Sequence, residues 1–306
     1  MKDLKELMSR DIEHPPVMDL HMHSSFSDGT DSPAGLIEKV KAAGIDIFSI
    51  TDHDETKGCR DMLGNIKEDD PYFVPGVEFS TSDEEGKYHI LGYDYDVDSP
   101  VMAEMVDRFH EIRMYKLDRR VELLKEYYGF TFTDEDMEWL YAQNNPGKPH
   151  IANLMVRHGY APDITAAIDN YVSNCRVKYK SVRPEEAIEA ILGSGGIPVL
   201  AHGYFGDGGQ LLSDHEMEMR LLRLEDMGLR GIECFYSGFS QKMNRYMLYL
   251  AQKYNFLATA GSDYHGTNKN VELGDLGVGR DVGTAALVYM KTIDFFDEIA
   301  EQKNRR

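Results

Sequence analysis

The stretch VMDLHMHSSFSDGTDSPAGLIEKVKAAGIDIFSITDHD, residues 17–54, decides the reading of the fold. It opens on a short apolar run carrying two histidines, crosses a polar loop and enters a helical pattern. Ser32 is placed to cap that helix and Pro33 suits its first turn; Leu36, Ile37 and Val40 form one apolar face, and Gly44 stands just past the end. A second apolar run, Asp46 to Asp54, follows at once. Strand, crossover helix and strand in that order point to parallel pairing. Working outward, YFVPGVEFS (72–80), YHILGYDY (88–95), IPVLAH (197–202), GIECFY (231–236) and FLATAGSD (256–263) bring the expected strands to seven. GTAALVYM (283–290) is a candidate eighth.

Between Ser99 and Lys180 the rhythm changes. A long helical pattern begins at Ser99 and Pro100 and stops at Gly129; Thr133 with Asp136 resembles a capping box, and PHIANLMVRHG and DITAAIDNYV supply further helices. From Arg183 the helix-to-strand alternation resumes, and Ser213 with Glu216 again resembles a capping box. The expected organisation is an α/β barrel built from residues 1–98 and 181–306, with residues 1–16 as an N-terminal extension and 99–180 as a helical insertion covering the active site.

A chain of 306 residues with 42% hydrophobic content can build a large core, which excludes disorder and a minimal disulfide scaffold. With 33 basic against 53 acidic residues the net charge is −20, which disfavours duplex DNA and anionic membranes as partners. Small phosphorylated ligands and short single strands remain compatible. Cys59, Cys175 and Cys234 are widely spaced and read as reduced thiols. The first residues, MKDLKELMSRDIEHPP, carry no apolar leader, so the expected location is the cytoplasm.

His21 and His23 are two apart on an expected strand and leave the same face, a spacing that lets two imidazoles reach one metal ion. His53, Glu78, His202, Asp263 and His265 all fall at or just past the C-terminal end of a strand, the rim on which a parallel barrel gathers its chemistry. Asp28 can turn back over that rim from the loop after His23, whereas His89 lies at the start or middle of its own strand. Six histidines and three carboxylates form a mixed nitrogen and oxygen set that suits manganese, iron or zinc better than magnesium or calcium. Nine ligands exceed one ion, so two or three ions sharing Glu78 are expected.

His14, His110, His158 and His215 read as exposed or structural; Trp139, Tyr127 and Tyr128 read as packing residues; the glycine-rich GDGGQ run (206–210) lacks the lysine of a phosphate loop. From Asn145 to Arg183 six basic residues (Lys148, Arg157, Arg176, Lys178, Lys180, Arg183) face only Asp163 and Asp169. One reading is a solvated helical face; the other is an anion clamp, with Lys148, His150 and Arg176 as the candidate substrate contacts.

Together, D-L-H-x-H, T-D-H-D, P-G-V-E-F-S, H-I-L-G-Y, L-A-H and G-S-D-Y-H resemble the PHP (polymerase and histidinol phosphatase) phosphoesterases of the amidohydrolase superfamily, over about residues 17–270. The resemblance implies a distorted (β/α)7 TIM-like barrel. It also implies three metal positions: His21, His23, Glu78 and Asp263; Glu78, His89 and His202; and Asp28, His53 and His265. GKPHIA (147–152) is similar to a subgroup that acts on nucleoside 3′,5′-bisphosphates and trims short RNA from its 5′ end, whereas NCRVKY (174–179) and VLAHG (199–203) depart from it.

The expected activity is hydrolysis of a phosphate ester by a metal-bridging hydroxide, with Glu78, Asp263 and His265 as catalytic candidates and His265 as a candidate proton donor. The alternatives are a C–N hydrolase on the same site, a cyclic phosphodiesterase or 5′-3′ exoribonuclease, and, from another class, a metal-binding regulatory protein without turnover.

Overall fold

The computed structural model describes residues 1–205, 211–279 and 281–305. The GDGGQ run lies outside them. The chain divides into two compact units, Met1–Met105 with Val182–Arg306, and Val106–Ser181. In chain order the elements are α1 (Leu4–Met8), β1 (Met18–Asp19), α2 (Pro33–Ala42), β2 (Ile47–Phe48), α3 (Lys57–Asn65), β3 (Tyr72–Phe73), β4 (Gly76–Asp83), β5 (Gly86–Tyr93) and α4 (Pro100–Tyr128). There follow α5 (Asp134–Tyr141), α6 (Lys148–Arg157), α7 (Ile164–Asn170), α8 (Pro184–Gly193), β6 (Ile197–Leu200), α9 (Asp214–Asp226), β7 (Gly231–Tyr236), α10 (Gln241–Tyr254), β8 (Leu257–Gly261) and α11 (Val282–Arg305). Among the described residues no helix is long and apolar enough to cross a membrane.

Local chemistry sets the helix ends. Ser32 Oγ accepts the Gly35 N–H at 3.2 Å, Pro33 occupies the first turn, and Leu36, Ile37 and Val40 are buried. Ser213 and Glu216 close a capping box on α9, as Thr133 and Asp136 do on α5. The charged N-terminal residues fold into α1, where Leu4 and Leu7 are buried and the Met8 carbonyl accepts the Tyr289 hydroxyl at 2.7 Å.

The fold is mixed α/β, with two sheets in place of seven parallel strands. One is the parallel set β1-β2-β3 and the other runs β4-β5-β6-β7-β8; neither closes on itself. The expected strand 72–80 breaks at Val74 and Pro75, because proline offers no N–H to a ladder. In the second sheet β4 and β5 pair antiparallel from Gly76↔Tyr93 to Asp83↔Gly86, β5 pairs antiparallel with β6, and β6-β7-β8 alone are parallel. The cause is the connection: Glu84 and Glu85 are two residues, far too few for a parallel crossover. GTAALVYM is helical, not a strand. It opens α11, whose buried Ala286, Tyr289, Thr292, Phe296 and Ile299 recur at helical spacing beyond the eight-residue window.

The sheets meet through isolated pairings rather than ladders. Met22 bridges to Tyr264 and His53 to Glu78, Leu20 N–H donates to the Ala260 carbonyl at 2.9 Å, and Asp263 N–H donates to the His21 carbonyl at 2.7 Å. Leu20, Phe48, Val77, Phe79, Leu91, Val199, Ile232 and Ala260 are fully buried around these junctions. Each of the larger side chains, Ala260 apart, contributes roughly 1.5–3 kcal/mol on burial. The regular backbone therefore gives way to single pairings at the residues that carry the candidate chemistry.

The second unit has its own core of Leu117, Leu124, Leu140, Ile151, Leu154, Met155 and Val172. Phe130 stacks on Tyr160 with centroids 4.4 Å apart, and Tyr128 meets Phe130 and Tyr171 edge-on or stacked. Trp139 packs against the core under the Arg157 guanidinium, 4.1 Å from its ring centre. Tyr127 does not pack as expected; it is 57% exposed. His14, His110 and His215 are exposed, and His158 ends α6 with Nε2 2.7 Å from Asp136.

Candidate metal centre

The first unit brings all nine candidate ligands together. His21 and His23 follow β1, Asp28 comes from the loop after them, His53 lies on the segment that bridges to β4, and Glu78 is on β4 itself. His202 follows β6, and Asp263 and His265 follow β8. His89 stands inside β5, where a parallel barrel would not put a ligand. The hairpin resolves this: Ser80 pairs with His89, and since Ser80 and Glu78 share a face of β4, His89 projects to the same side as Glu78.

Glu78 is the centre of the arrangement. Its Oε2 lies 3.2 Å from His21 Nε2, 3.2 Å from His23 Nε2 and 3.2 Å from His53 Nδ1. Its Oε1 faces His89 Nδ1 at 2.9 Å and His202 Nε2 at 3.1 Å. Asp263 Oδ1 lies 3.2 Å from His23 Nε2 and 3.6 Å from His21 Nε2, while Asp28 Oδ1 lies 3.2 Å from His265 Nε2. Three groups have ligand atoms mutually within 4.8 Å: His21, His23, Glu78 and Asp263; His53, Glu78 and His89; and His23, Asp28, His53 and His265.

His89 and His202 have hydrogen-bond geometry to Glu78 Oε1, whereas the approaches to Oε2 do not. His21 Nε2, both His23 nitrogens, His53 Nδ1 and Glu78 Oε2 are buried and lack any hydrogen-bond partner. Leaving buried polar atoms unpaired costs on the order of 1–3 kcal/mol each, so five in one place need a compensating partner. Ligand atoms gathered this closely, with nitrogen and oxygen donors mixed, fit metal cations.

Neighbouring carboxylates hold the ligands. Glu233 Oε1 lies 2.9 Å from His21 Nδ1 and its Oε2 accepts the His202 backbone N–H at 2.7 Å, which keeps the His21 proton on Nδ1 and leaves Nε2 free for a cation. Asp19 accepts Ser262 N–H and Oγ–H and the Gly274 N–H, tying the end of β1 to that of β8. Asp52 accepts Ser24 N–H, Ser24 Oγ–H and Ser27 Oγ–H, fixing the loop that carries Asp28. His202 (φ 28) and Asp263 (φ 60) both adopt left-handed backbone, a cost tolerated where neighbours over-determine the conformation. Gly261 is required by contact: a Cβ there would stand 2.2 Å from His21 Cβ.

Without a cation the site stores protons. Burial opposes charge on His23, but the carboxylates of Asp263 and Glu78, each 3.2 Å from its Nε2, push it up to about 9. Burial likewise opposes charge on His21, yet Glu78, Glu233 and Asp263 hold its pKa well above the ordinary value. His53 is pushed down to about 3 by burial, helped by the charges on His23 and His89 and opposed by Glu78. Burial disfavours ionised Glu78 and Asp263, but the surrounding histidines hold both carboxyls well below the usual range. A cation entering this set displaces histidine protons.

The family model of the PHP domain matches residues 19–192. The chain belongs to the PHP family. As a member it is a hydrolase acting on phosphate esters. It is 28% identical to a 3′,5′-nucleoside bisphosphate phosphatase of Chromobacterium violaceum, over 87% of this chain and 90% of that one. It is 28% identical to a phosphoribosyl 1,2-cyclic phosphate 1,2-diphosphodiesterase of Eggerthella lenta, over 82% and 94%. It is 27% identical to the 5′-3′ exoribonuclease Rnm of Escherichia coli, over 86% and 90%. Among solved structures, a protein of Bifidobacterium adolescentis assigned to the metal-dependent phosphoesterases superposes with a TM-score of 0.69 at 28% identity, covering 90% of this chain and 96% of that one.

The candidate substrate contacts lie in the second unit of this PHP enzyme. Lys148 Nζ donates to Ser173 Oγ at 3.3 Å, His150 Nδ1 accepts the Gly147 N–H at 3.2 Å at the start of α6, and Arg176 is exposed. Sequence reading missed Glu233, Tyr236 and Lys269. Glu233 left a signal, as the one carboxylate in the apolar strand GIECFY; a buried charge in such a run needs a partner. Tyr236 O–H donates to Asp263 Oδ2 at 3.0 Å and Lys269 Nζ lies 2.6 Å from the same oxygen; neither position has a motif to mark it.

Proposed function

We propose that this PHP enzyme is a phosphomonoesterase of the nucleoside 3′,5′-bisphosphate type, working with two or three divalent ions of manganese, iron or zinc. The observation that carries the metal-dependent reading is the set of unpartnered nitrogens around Glu78. The substrate class rests on the likeness to the Chromobacterium phosphatase and on the GKPHIA segment. In this reading the two sheets are halves of a distorted (β/α)7 barrel joined at Met22–Tyr264 and His53–Glu78, with residues 99–180 as its helical insertion.

His21, His23, Glu78 and Asp263 would hold one ion, Glu78 and His89 with His53 or His202 a second, and Asp28, His53 and His265 a third. When bound, such ions supply a source of hydroxide at neutral pH and positive charge against the phosphoryl oxygens. The protein's part is to orient. Glu78 offers one oxygen to each side of the site, and Glu233 and Asp19 keep His21 and Asp263 in register. His265 Nδ1 lies 2.8 Å from the Asp263 carbonyl, so its N–H is committed there and its Nε2 lone pair, beside Asp28, is left for a cation that both would hold. That is a ligand's tautomer rather than a proton donor's. Lys148, His150 and Arg176 are proposed as phosphate contacts on the strength of the local basic excess.

A second reading, a 5′-3′ exoribonuclease or cyclic phosphodiesterase, draws on the Escherichia and Eggerthella relatives, which are as similar to this chain as the phosphatase. Phosphate release and product analysis with added manganese separates them, using nucleoside 3′,5′-bisphosphates, a cyclic ribose phosphate and short RNA. Inorganic phosphate from the bisphosphate alone supports the monoesterase. Mononucleotide release from RNA, or ring opening of the cyclic ester, with no release from bisphosphates would overturn it.

A further inference from the structure

We propose that Lys269 is the residue that receives the phosphate of the substrate at the metal centre, held ready by Asp263 until phosphate arrives. The inference rests on the phosphoesterase reading and names a group within its site. Asp263 has two oxygens in two environments. Oδ1 faces the ring nitrogens of His23, His265 and His21 at 3.2, 3.3 and 3.6 Å, whereas Oδ2 accepts from Tyr236 O–H at 3.0 Å and Lys269 Nζ at 2.6 Å. Among the described residues Lys269 is the one lysine or arginine paired with any of the three ligand carboxylates, Asp28, Glu78 and Asp263.

The two donors on Oδ2 differ in freedom. Tyr236 is fixed by ring contacts with His202, Phe205 and Phe239 at centroid distances of 5.3, 5.8 and 5.1 Å. Lys269 is 42% exposed at its side chain, so its ammonium stands between solvent and the ligands. The residues just before it are anchored nonetheless. Thr267 N–H donates to Thr30 Oγ1 at 3.0 Å and Asn268 Nδ2 donates to the Asp28 carbonyl at 2.7 Å. Gly266, with φ 67, has to be glycine, because a Cβ there would stand 1.9 Å from Thr30 Oγ1. A fixed root with a flexible four-carbon stem lets the ammonium leave Asp263 for a nearby oxygen. When it leaves, Tyr236 still satisfies Oδ2, so no carboxylate oxygen is orphaned. An Asp263 that shares its charge with a cation holds the lysine less tightly, and a phosphate dianion offers the stronger partner.

The test is titration of inorganic phosphate into the metal-loaded wild type, Lys269→Met and Lys269→Arg by isothermal calorimetry, with metal content measured in parallel. Lys269→Met is expected to weaken phosphate binding about 10- to 100-fold, the loss of one charge-assisted contact. KM should rise by a similar factor, metal content should stay unchanged, and arginine should restore part of the loss. Unaltered phosphate affinity in Lys269→Met, no phosphate binding by the wild type, or a fall in metal content would each overturn the proposal. Because binding is read without turnover, wild type that binds phosphate through Lys269 yet hydrolyses no ester would contradict the phosphoesterase reading and leave this one standing.

Discussion

Nine side chains in the first unit and three in the second were singled out by the same kind of sequence reading, yet the structure treats them differently. Around Glu78 one nitrogen of His21, both of His23 and one of His53 have no hydrogen-bond partner, and the neighbours that fix these side chains, such as Glu233 and Asp52, are themselves buried. In the second unit Lys148 donates to Ser173, His150 caps the start of α6, and Arg176 meets solvent. A residue with an ordinary local partner is explained without function. Several unpartnered ligand-type atoms gathered at one point call for something else that binds there.

The sharpest way to break that contrast is at Asp263. Asp263→Asn should lower kcat/KM by at least about a thousandfold and reduce bound metal, with circular dichroism and thermal unfolding little changed, since one strand-end carboxylate carries little packing. Wild-type turnover in this variant would sink the metal assignment.

The proton store gives the next effect. His21 and His23 have raised pKa values in the metal-free protein, His23 up to about 9, so at neutral pH both favour the protonated form and must lose protons for a cation to bind at their ring nitrogens. Metal affinity should therefore rise with pH toward 9 and fall as pH drops, by about tenfold per unit for each proton displaced. Competition with a chromophoric chelator at pH 6, 7 and 8 measures the slope; a flat profile would contradict the proton count.

Glu233→Gln tests the supporting layer. It retains shape while removing the charge behind His21, and metal affinity should fall about 10- to 100-fold. Unchanged affinity in chelator competition would make Glu233 a packing residue. The smallest effect is expected in the second unit, where Arg176→Ala should raise KM about tenfold at constant metal content. If only yield or thermal stability moves, the basic segment is scaffold and the contrast between the units is complete.

How much was legible follows the same line. The helix from Ser32 to Gly44 was readable because cap, proline and apolar face agree, and His21, His53, Glu78, His202 and Asp263 were readable because each sits where an apolar run ends. The antiparallel hairpin was not, although the two-residue Glu84–Glu85 link encodes it, because apolar runs look alike whichever way they pair. The last helix was misjudged as a strand candidate for the same reason: eight apolar-rich residues fit either period, and only the continuation to Ile299 decides. Glu233 and Lys269 act through contacts 212 and 6 residues away in sequence, on His21 and Asp263, and no spacing rule reaches such partners.

The central claim is that the buried nitrogens around Glu78 exist to hold more than one cation. Elemental analysis of the purified wild-type protein after manganese loading and removal of free metal tests it most directly. The proposed function predicts two or three ions per chain, falling on Asp263→Asn substitution; one ion or none in the wild type would contradict the account.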